Sequence, residues 1–594
     1  MEVAWPVLVN SQTMTSSWLS TLGPRARRHA LTLGSRARKS ASTKIVISSL
    51  LVACGGGGDS ESSSTANATG DAGGAKDDSL TIKLTQGQLQ GDMAGASRQF
   101  LKIPYAAPPA GPLRWKAPQA APSWQGVRHE TAFAEACPQN KSSQGGESFN
   151  EDCLYLNVWS PVGLKSKAPV MVWIHGGGNF AGSAGDKVPA LGVAPAAQPL
   201  WYDGQFLASR HGVVVVSMNY RLGPMGFMSH AALGAEGSPL GNQGLLDQQM
   251  ALTWVRDNIE KFGGDVGNVT IFGESAGSSD VCFHVVSPKS RGLFQRAISE
   301  SGGCTISIAV GANATAESSA PGMQKFAEAV GCGDQSDVLA CMRAKTVEEL
   351  MAHAEQPNPA GGSSGPPPYV FGAVVDGPGG FVPEEPRKLF ATGNVAKVPY
   401  LLGSNQDEGT LFTLALTAPT DDASYRAYMK SQFGAAGDAA ATLYDPNKYG
   451  GYGAAIARAW GDSGLVCGTH DTARRAAAAG LPVFMYNFDV SWAAVQFLLG
   501  AAHSSEISHV FGNPFNPTAA DTSTSNAMGD YWTRFARTGD PNGAGAPAVW
   551  PAFEPSADDS DQRLQIDTGF SAVTDFRKEE CAFWRTVYDA AEGG

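Results

Sequence analysis

The sequence predicts an α/β fold in which a large, mostly parallel central sheet is covered by helices on both faces. Short runs of apolar, largely β-branched residues recur along the chain, and they are continuous rather than alternating, which is typical of strands buried on both faces. Amphipathic stretches of helical period, such as 244–262, lie between these runs. Strands that alternate with helices form parallel sheets, because each helix carries the chain back across the sheet.

The strand candidates follow one another along the body of the chain. The predicted strands are 169–174, 212–216, 269–272, 399–402 and 483–486. The stretch 312–397 has a helical pattern at 323–330 and a Gly/Pro-rich loop at 361–368. This stretch is predicted to be an insertion over the sheet.

Length and charge exclude two classes of protein. Hydrophobic residues make up 43% of the 594 residues and charged residues 16%, so the chain can bury a large core and is not mainly disordered. The net charge is −12, and it becomes −18 without residues 1–53, which carry a net +6. Such an acidic body repels phosphate backbones, which argues against binding of nucleic acid.

Residues 1–53 are predicted to be a signal peptide of the lipoprotein type. The apolar run 45–53 is too short to span a bilayer, which takes about 20 residues. It ends in a Leu-Val-Ala-Cys sequence at Cys54 that resembles the lipobox of bacterial lipoproteins, and four glycines follow. The resemblance implies export, a lipid on Cys54, and the outer membrane or cell surface of a Gram-negative bacterium. The alternative is an ordinary buried cysteine after a chance apolar run.

Residues 54–78, rich in Gly, Ser, Thr and Ala, are predicted to be a flexible tether, and 79–594 one large catalytic domain. An exported chain meets an oxidising compartment, so the eight other cysteines are expected to pair. Four bridges among eight cysteines allow 105 connectivities, and the spacing alone does not choose among them.

The sequence Gly-Glu-Ser-Ala-Gly at 273–277 follows a predicted strand and precedes a helical pattern. In this context G-x-S-x-G predicts a nucleophile elbow, in which a strained turn exposes the hydroxyl of Ser275. A plain turn from strand to helix is the alternative. The sequence His-Gly-Gly-Gly at 175–178 ends an earlier predicted strand, where a loop that donates N–H groups to an oxyanion is expected.

Two longer blocks give these motifs a family context. Residues 150–158, Asn-Glu-Asp-Cys-Leu-Tyr-Leu-Asn-Val, and 272–277, Phe-Gly-Glu-Ser-Ala-Gly, resemble the two signatures of the type-B carboxylesterase/cholinesterase family of α/β-hydrolases. Supporting blocks lie at 103–109, 219–223, 241–248 and 262–265. The resemblance extends from about 80 to 590 and implies the α/β-hydrolase fold with helical insertions over the active site.

The resemblance also implies the partners of Ser275. Glu408 stands in the acid position of the family, with Asp407 as its neighbouring competitor, and His503 stands in the position of the base. His509 is the nearest rival and is expected to be structural. The order serine, acid, histidine is that of α/β-hydrolases.

Further roles follow from the same family positions. The oxyanion donors are expected to be the backbone N–H groups of Gly177, Gly178 and Ala276, with the ring of His175 a packing or hydrogen-bonding element. Glu274 and Ser301 are expected near the histidine and the acid. The implied disulfides are Cys137–Cys153, Cys332–Cys341 and Cys467–Cys581, whereas Cys282 and Cys304 either form a fourth bridge or stay as two buried thiols.

Three features depart from the family pattern: the long segment 186–200, Asn179 after the glycines, and the apolar segment 492–499 before the histidine. Both segments are expected to reach the mouth of the pocket, so the substrate is not inferred from relatives. One hypothesis is that Trp201, Trp492 and Phe497 line an apolar entrance. Ordinary packing under loops is the alternative.

The chain is therefore expected to be a serine carboxylesterase that acts on small-molecule or polymeric esters. This chemistry needs no metal or organic cofactor, and contact with a membrane is expected only through Cys54. One alternative is a hydrolase of bulky esters, such as polyesters, aromatic diesters or mycotoxin esters, at the cell surface. Another is a non-catalytic cholinesterase-like adhesion protein, against which the presence of all three triad residues argues.

Overall fold

The central sheet of the computed structural model has eleven strands in the order β14-β13-β12-β11-β10-β9-β7-β8-β6-β4-β3. The six neighbouring pairs from β13 to β8 are parallel, and antiparallel pairs close both ends of the sheet. The predicted fold class is therefore confirmed. A separate small sheet has the order β1-β2-β5. The strands are β1 Thr81–Lys83, β2 Gln88–Gln90, β3 Asp92–Ala94, β4 Ser97–Pro104, β5 Val127–His129, β6 Tyr155–Pro161, β7 Ala168–Ile174, β8 Val214–Met218, β9 Gly264–Glu274, β10 Arg296–Glu300, β11 Tyr400–Asn405, β12 Val483–Phe488, β13 Arg563–Ile566 and β14 Phe570–Val573.

Helices fill the connections between the strands. The structure describes residues 79–141, 146–188, 198–305, 315–354, 371–414, 416–491, 496–514, 517–557 and 560–592, with the side chains of 496, 497 and 592 left aside. Within these ranges, no helix is both long and apolar enough to cross a bilayer. The α-helices are Gln205–His211, Gly223–Gly226, Ala231–Ala235, Gln243–Asn258, Ala276–Val286, Ala316–Ala329, Val338–Ala344, Val347–Met351, Pro386–Ala391, Thr410–Thr413, Asp422–Phe433, Gly437–Leu443, Pro446–Tyr449, Tyr452–Gly461, Cys467–Ala478, Gln496–Leu499, Ile507–Val510, Ala519–Thr538 and Lys578–Glu592.

Strand β7 explains the continuous apolar runs. Every residue of β7 is buried. Val170 and Val172 belong to the hydrophobic core on one face of the sheet, whereas Met171 and Trp173 belong to the core on the other. Successive side chains of a strand point to opposite faces, so a strand covered on both sides must be apolar at every position.

The carboxyl ends of the parallel strands bring the candidate site residues to one edge of the sheet. Ile174 of β7 pairs with Gly273 of β9, and Glu274 pairs with Glu300 of β10. Glu300 in turn pairs with Gly403 of β11. The loops that follow these strands therefore start side by side, which is where open α/β sheets bind their ligands.

Four disulfides join the eight described cysteines. The three bridges implied by the family resemblance are confirmed, and Cys282 and Cys304 form a fourth. This fourth bridge links the helix Ala276–Val286 to the segment after β10, and both of its cysteines are buried. Four bridges are typical of a protein that folds in an oxidising compartment.

We expect the Cys467–Cys581 bridge to contribute most to stability. It spans 114 residues, whereas Cys332–Cys341 spans 9. Because a cross-link removes more entropy from the unfolded chain when its loop is longer, replacing Cys467 and Cys581 by serine should lower the free energy of unfolding by about 4–5 kcal/mol. The matched serine pair at 332 and 341 should cost about 2–3 kcal/mol. Urea unfolding measures both, and an equal loss would contradict the expectation.

Candidate active site

Ser275 lies in a strained turn between β9 and the helix Ala276–Val286, which we call the nucleophile helix. Its φ of 57° and ψ of −121° fall in a region that non-glycine residues rarely adopt. The turn requires glycine beside it, because a Cβ on Gly277 would lie 2.1 Å from the carbonyl oxygen of Ile174. The side chain of Ser275 is half-buried, so the strained turn holds it where a substrate can reach it.

The loop after β7, residues 175–179, lies against Ser275, and we call it the oxyanion loop. A Cβ on Gly176 would lie 3.0 Å from Cβ of Ser275. Gly177 and Gly178 have φ values of 100° and 66°, which glycine adopts without strain. Ala276 is the first residue of the nucleophile helix, so its N–H has no partner within the helix and lies at the positive end of the helix dipole.

His175, at the start of the oxyanion loop, is a buried packing element. Its ring stacks on Tyr220 with the ring centroids 4.4 Å apart, and Nδ1 lies 2.9 Å from the carbonyl oxygen of Gly176. Burial lowers the pKa of His175 to about 4, so the ring is neutral at pH 7.

Glu408 and His503 form a buried acid–base pair. Glu408 Oε2 lies 2.6 Å from His503 Nδ1, and Glu408 Oε1 accepts a hydrogen bond of 2.7 Å from the backbone N–H of Asn405. A carboxylate at Nδ1 fixes the tautomer that leaves Nε2 able to accept a proton. His503 Nε2 forms no hydrogen bond among the described residues, but it lies within ion-pair distance of Glu274 Oε1, 3.1 Å away.

Asp407 and His509, the alternatives to Glu408 and His503, have other partners. Asp407 accepts hydrogen bonds from the Arg458 guanidinium at 2.9 Å and from the backbone N–H of Ala501 at 3.2 Å. His509 Nε2 lies 3.6 Å from Asp521 Oδ1. The structure therefore pairs Glu408, and not its neighbour, with the candidate base.

Glu274 lies on the other side of the histidine. Its Oε1 lies 3.1 Å from His503 Nε2 and accepts a hydrogen bond of 2.6 Å from the hydroxyl of Ser504. The hydroxyl of Ser301 donates instead to Glu506 Oε1 at 3.3 Å. Of the two residues expected near the histidine, Glu274 is the one with an ion-pair contact to His503 among the described residues.

Three buried residues beside this pair were not predicted from the sequence: Glu506, Asn405 and Glu300. Glu506 Oε2 accepts a hydrogen bond of 2.5 Å from the Asn405 amide, which also donates to the carbonyl oxygen of Ala502 at 2.9 Å. Glu300 accepts from the indole N–H of Trp532 at 2.7 Å. Glu506 lies three residues beyond His503 in the chain, and this proximity in sequence is the signal that could have identified it.

The carboxylates and the histidine shift one another's pKa values. Burial raises the pKa of Glu274 to about 7 and of Glu300 to about 8, and it raises the pKa of Glu506 well above the usual range. Burial alone would lower the pKa of His503, but the negative charges of Glu274 and Glu408 outweigh this effect and raise it to about 9. The site therefore favours the imidazolium form of His503.

This charge balance predicts a pH effect for Glu274→Gln. A histidine must be neutral to act as a base. The acid limb of the pH profile, where kcat/KM rises with pH, should therefore lie above the ordinary pKa range of histidine. Removing the charge of Glu274 disfavours imidazolium and should shift this limb to lower pH by about one unit. Rates from pH 5 to 10 measure the shift, with the exposed Glu349→Gln as control. An unmoved limb would count against the role of Glu274.

The aromatic surroundings of the site differ from the hypothesis. The ring centroid of Phe412, which was not predicted, lies 4.9 Å from that of His503 and 4.3 Å from that of Trp460. Trp201 is only 3% exposed and stacks on Tyr202, so it packs inside the core and does not support an entrance there. Trp492 and the side chain of Phe497 lie outside the described residues.

The described ends of the long segment 186–200 pair with each other. The backbone N–H of Trp201 donates to the carbonyl oxygen of Asp186 at 2.7 Å, and that of Val188 donates to the carbonyl oxygen of Pro199 at 3.0 Å. The two described ends of the segment therefore lie side by side.

The chain is similar to known proteins over most of its length. The sequence model of a family described as "Carboxylesterase family" matches residues 78–584. A cholinesterase from Mus musculus is 35% identical over 534 residues, which cover 84% of this chain and 84% of the relative.

Proposed function

The chain belongs to the carboxylesterase family and is a carboxylic ester hydrolase, and from this premise we propose that it works through an acyl-enzyme on Ser275 with His503 as base and Glu408 as acid. The observation that carries the proposal is the 2.6 Å contact between Glu408 Oε2 and His503 Nδ1, at the sheet edge that also holds the strained Ser275 turn. This is the arrangement that activates a serine hydroxyl.

The acylation step uses the neutral form of His503. Nε2 takes the proton of the Ser275 hydroxyl as the oxygen attacks the ester carbonyl, and Glu408 stabilises the imidazolium that forms. The electron pair of the carbonyl moves to its oxygen. Donors for this oxyanion are the backbone N–H groups of Gly177, Gly178 and Ala276.

Collapse of the tetrahedral intermediate completes the cycle. The imidazolium of His503 gives its proton to the leaving alkoxide, and the alcohol departs. Water then attacks the acyl-enzyme with Nε2 as base, and the acid is released as Ser275 regains its proton. The raised pKa of His503 favours the imidazolium that donates to the leaving group.

The substrates we propose are uncharged carboxylic esters with an apolar part. Phe412 presents its aromatic ring next to His503, and Trp460 packs against Phe412; both are half-buried. A panel of nitrophenyl and alkyl esters that varies acyl and alcohol size tests this, with Ser275→Ala as the blank. Trp460→Ala should change the chain-length preference. Release of soluble acid from an insoluble polyester, at a rate that rivals the short esters, would favour the bulky-ester alternative.

The four disulfides are typical of an exported protein, and we further propose that the chain is anchored by a lipid on Cys54. Cys54 and the proposed signal peptide and tether, 1–78, lie outside the described residues. Fractionation of cells that express the full chain tests the anchor. Cys54→Ala should move the esterase activity from the membrane fraction to the soluble fraction, and unchanged membrane activity would contradict a lipid anchor at this position.

A further inference from the structure

Asn179 ends the oxyanion loop in an unusual conformation with a buried side chain. Its φ is 60°, a left-handed value that asparagine tolerates better than most residues. The side chain is 7% exposed, and its amide donates a hydrogen bond of 3.1 Å to Asp280 Oδ1. The carbonyl oxygen of Asn179 accepts from the backbone N–H of Gly223 at 2.7 Å, so the residue is fixed by both its backbone and its side chain.

Asp280 belongs to the nucleophile helix and is fully buried. Its Oδ1 faces Asn179, and its Oδ2 accepts a hydrogen bond of 2.6 Å from the amide of Gln248. Burial raises its pKa to about 7. A buried carboxylate costs free energy that amide donors offset only in part, so its presence calls for a reason beyond packing.

Tyr220 holds the oxyanion loop from a second side. Its hydroxyl lies 2.7 Å from the carbonyl oxygen of His175, at the start of the loop, and 3.1 Å from Asn179 Oδ1, at the end. Gly177 and Gly178 lie between these anchors and have no side chains of their own. The carbonyl oxygen of Gly177 also accepts from the backbone N–H groups of Phe180 and Ala181, both at 3.1 Å, so this turn and the two end anchors together position the N–H groups of the glycines.

We propose that Asn179 and Asp280 are positioning residues that lock the oxyanion loop to the nucleophile helix. The proposed oxyanion donors come from both elements: Gly177 and Gly178 from the loop, and Ala276 from the helix. The bond from Asn179 to Asp280 is a direct side-chain link between the two. It sets the spacing of the donors, and this inference rests on the proposed function.

The link acts on the transition state more than on the bound substrate. Hydrogen bonds to an oxyanion are stronger than those to a neutral carbonyl, and a donor that is displaced loses most where charge is greatest. A bond that only stabilised the fold would change the melting temperature and leave the rate per folded molecule unchanged. The two roles can therefore be separated by kinetics.

The test compares Asn179→Gly, Asp280→Ala and the double variant. Glycine keeps the left-handed backbone at 179 and removes only the side chain. We expect kcat to fall roughly 10-fold to 100-fold in each single variant, with KM changed less than about twofold. Affinity for a trifluoromethyl ketone, which Ser275 converts into an anionic hemiketal, should fall by the same factor as kcat.

Non-additivity is the signature of the link. If both residues act through one bond, the double variant should lose no more than the larger single loss. Asp280→Asn keeps one oxygen that accepts from the Asn179 amide and turns its NH2 toward the Gln248 amide, so it should retain more rate than Asp280→Ala. A matched control is Tyr425→Phe, which removes an equally buried bond, 2.6 Å to the carbonyl oxygen of Tyr444, and should leave kcat unchanged.

Each outcome separates this inference from the proposed function. Wild-type kcat and inhibitor affinity in Asn179→Gly, or losses that multiply in the double variant, would overturn the link while ester hydrolysis by Ser275 still stood. Wild-type protein that neither hydrolyses esters nor reacts with a fluorophosphonate at Ser275 would overturn the proposed function itself. Circular dichroism confirms that each variant is folded before its rate is interpreted.

Discussion

Replacing Ser275 by alanine should lower kcat by about 10⁵-fold to 10⁶-fold. The loss is this large because the hydroxyl oxygen is the atom that forms the covalent bond to the acyl group, and His503 has no other proton to take in that step. The remaining activity would come from the oxyanion donors and from binding. KM should change little, since the variant loses one oxygen atom and keeps the turn.

Two measurements check this expectation. Steady-state hydrolysis of a nitrophenyl ester gives the rate, and mass spectrometry after treatment with a fluorophosphonate gives the site of labelling. Ser279 is a matched control because it lies four residues along the same helix, and its backbone N–H donates to the carbonyl oxygen of Ser275 at 3.1 Å. Ser279→Ala should label and hydrolyse like the wild type. Labelling at any other residue would contradict Ser275 as nucleophile.

The nucleophile turn could be predicted because its requirements are local. A buried strand, two glycines and a helix start are all visible within 269–286. The structure adds the reason for the glycines: a Cβ on Gly273 would lie 2.6 Å from the carbonyl oxygen of Ile174, in the neighbouring strand. The central parallel strands could be predicted for a similar reason, since burial on both faces leaves a continuous apolar run.

Strand β4 shows where this signal fails. It contains Arg98 and Lys102, and it pairs antiparallel with β6 near one end of the sheet. Arg98 is buried because its guanidinium donates to the Ser160 hydroxyl at 2.8 Å and to the carbonyl oxygen of Phe262 at 3.1 Å. A strand that satisfies a buried charge through distant partners does not have the apolar pattern of the central strands.

The network around His503 could be predicted only in part. Resemblance supplied the positions of Glu408 and His503, whose contact spans 95 residues. The bond between Asn405 and Glu506 spans 101 residues, and that between Asn179 and Asp280 also spans 101. Such contacts depend on how the loops meet at the sheet edge, which local patterns do not encode. The first of them holds Glu506, a further buried carboxylate whose negative charge helps to raise the pKa of His503.

The pair Glu408→Gln and Asp407→Asn should differ by several orders of magnitude in kcat, although the residues are neighbours in the chain. Glutamine at 408 keeps the size of the side chain but removes the charge that stabilises imidazolium, and it allows the wrong tautomer of His503. We expect kcat to fall about 10³-fold to 10⁴-fold. Because the negative charge on Glu408 also raises the pKa of His503, the acid limb of the remaining activity should move to lower pH.

Asp407→Asn keeps the same loop and changes a carboxylate that faces Arg458 rather than His503. Its pair with Arg458 is partly exposed, with side-chain accessibilities of 23% and 16%, so its loss should cost stability of about 1 kcal/mol or less and leave kcat within a few-fold of the wild type. Steady-state rates and thermal unfolding of both variants give the comparison. Similar losses of kcat in the two variants would mean that the acid is shared between them, and a larger loss at Asp407 would reverse the assignment. The 2.6 Å contact of Glu408 with His503 argues that Glu408 alone is the acid.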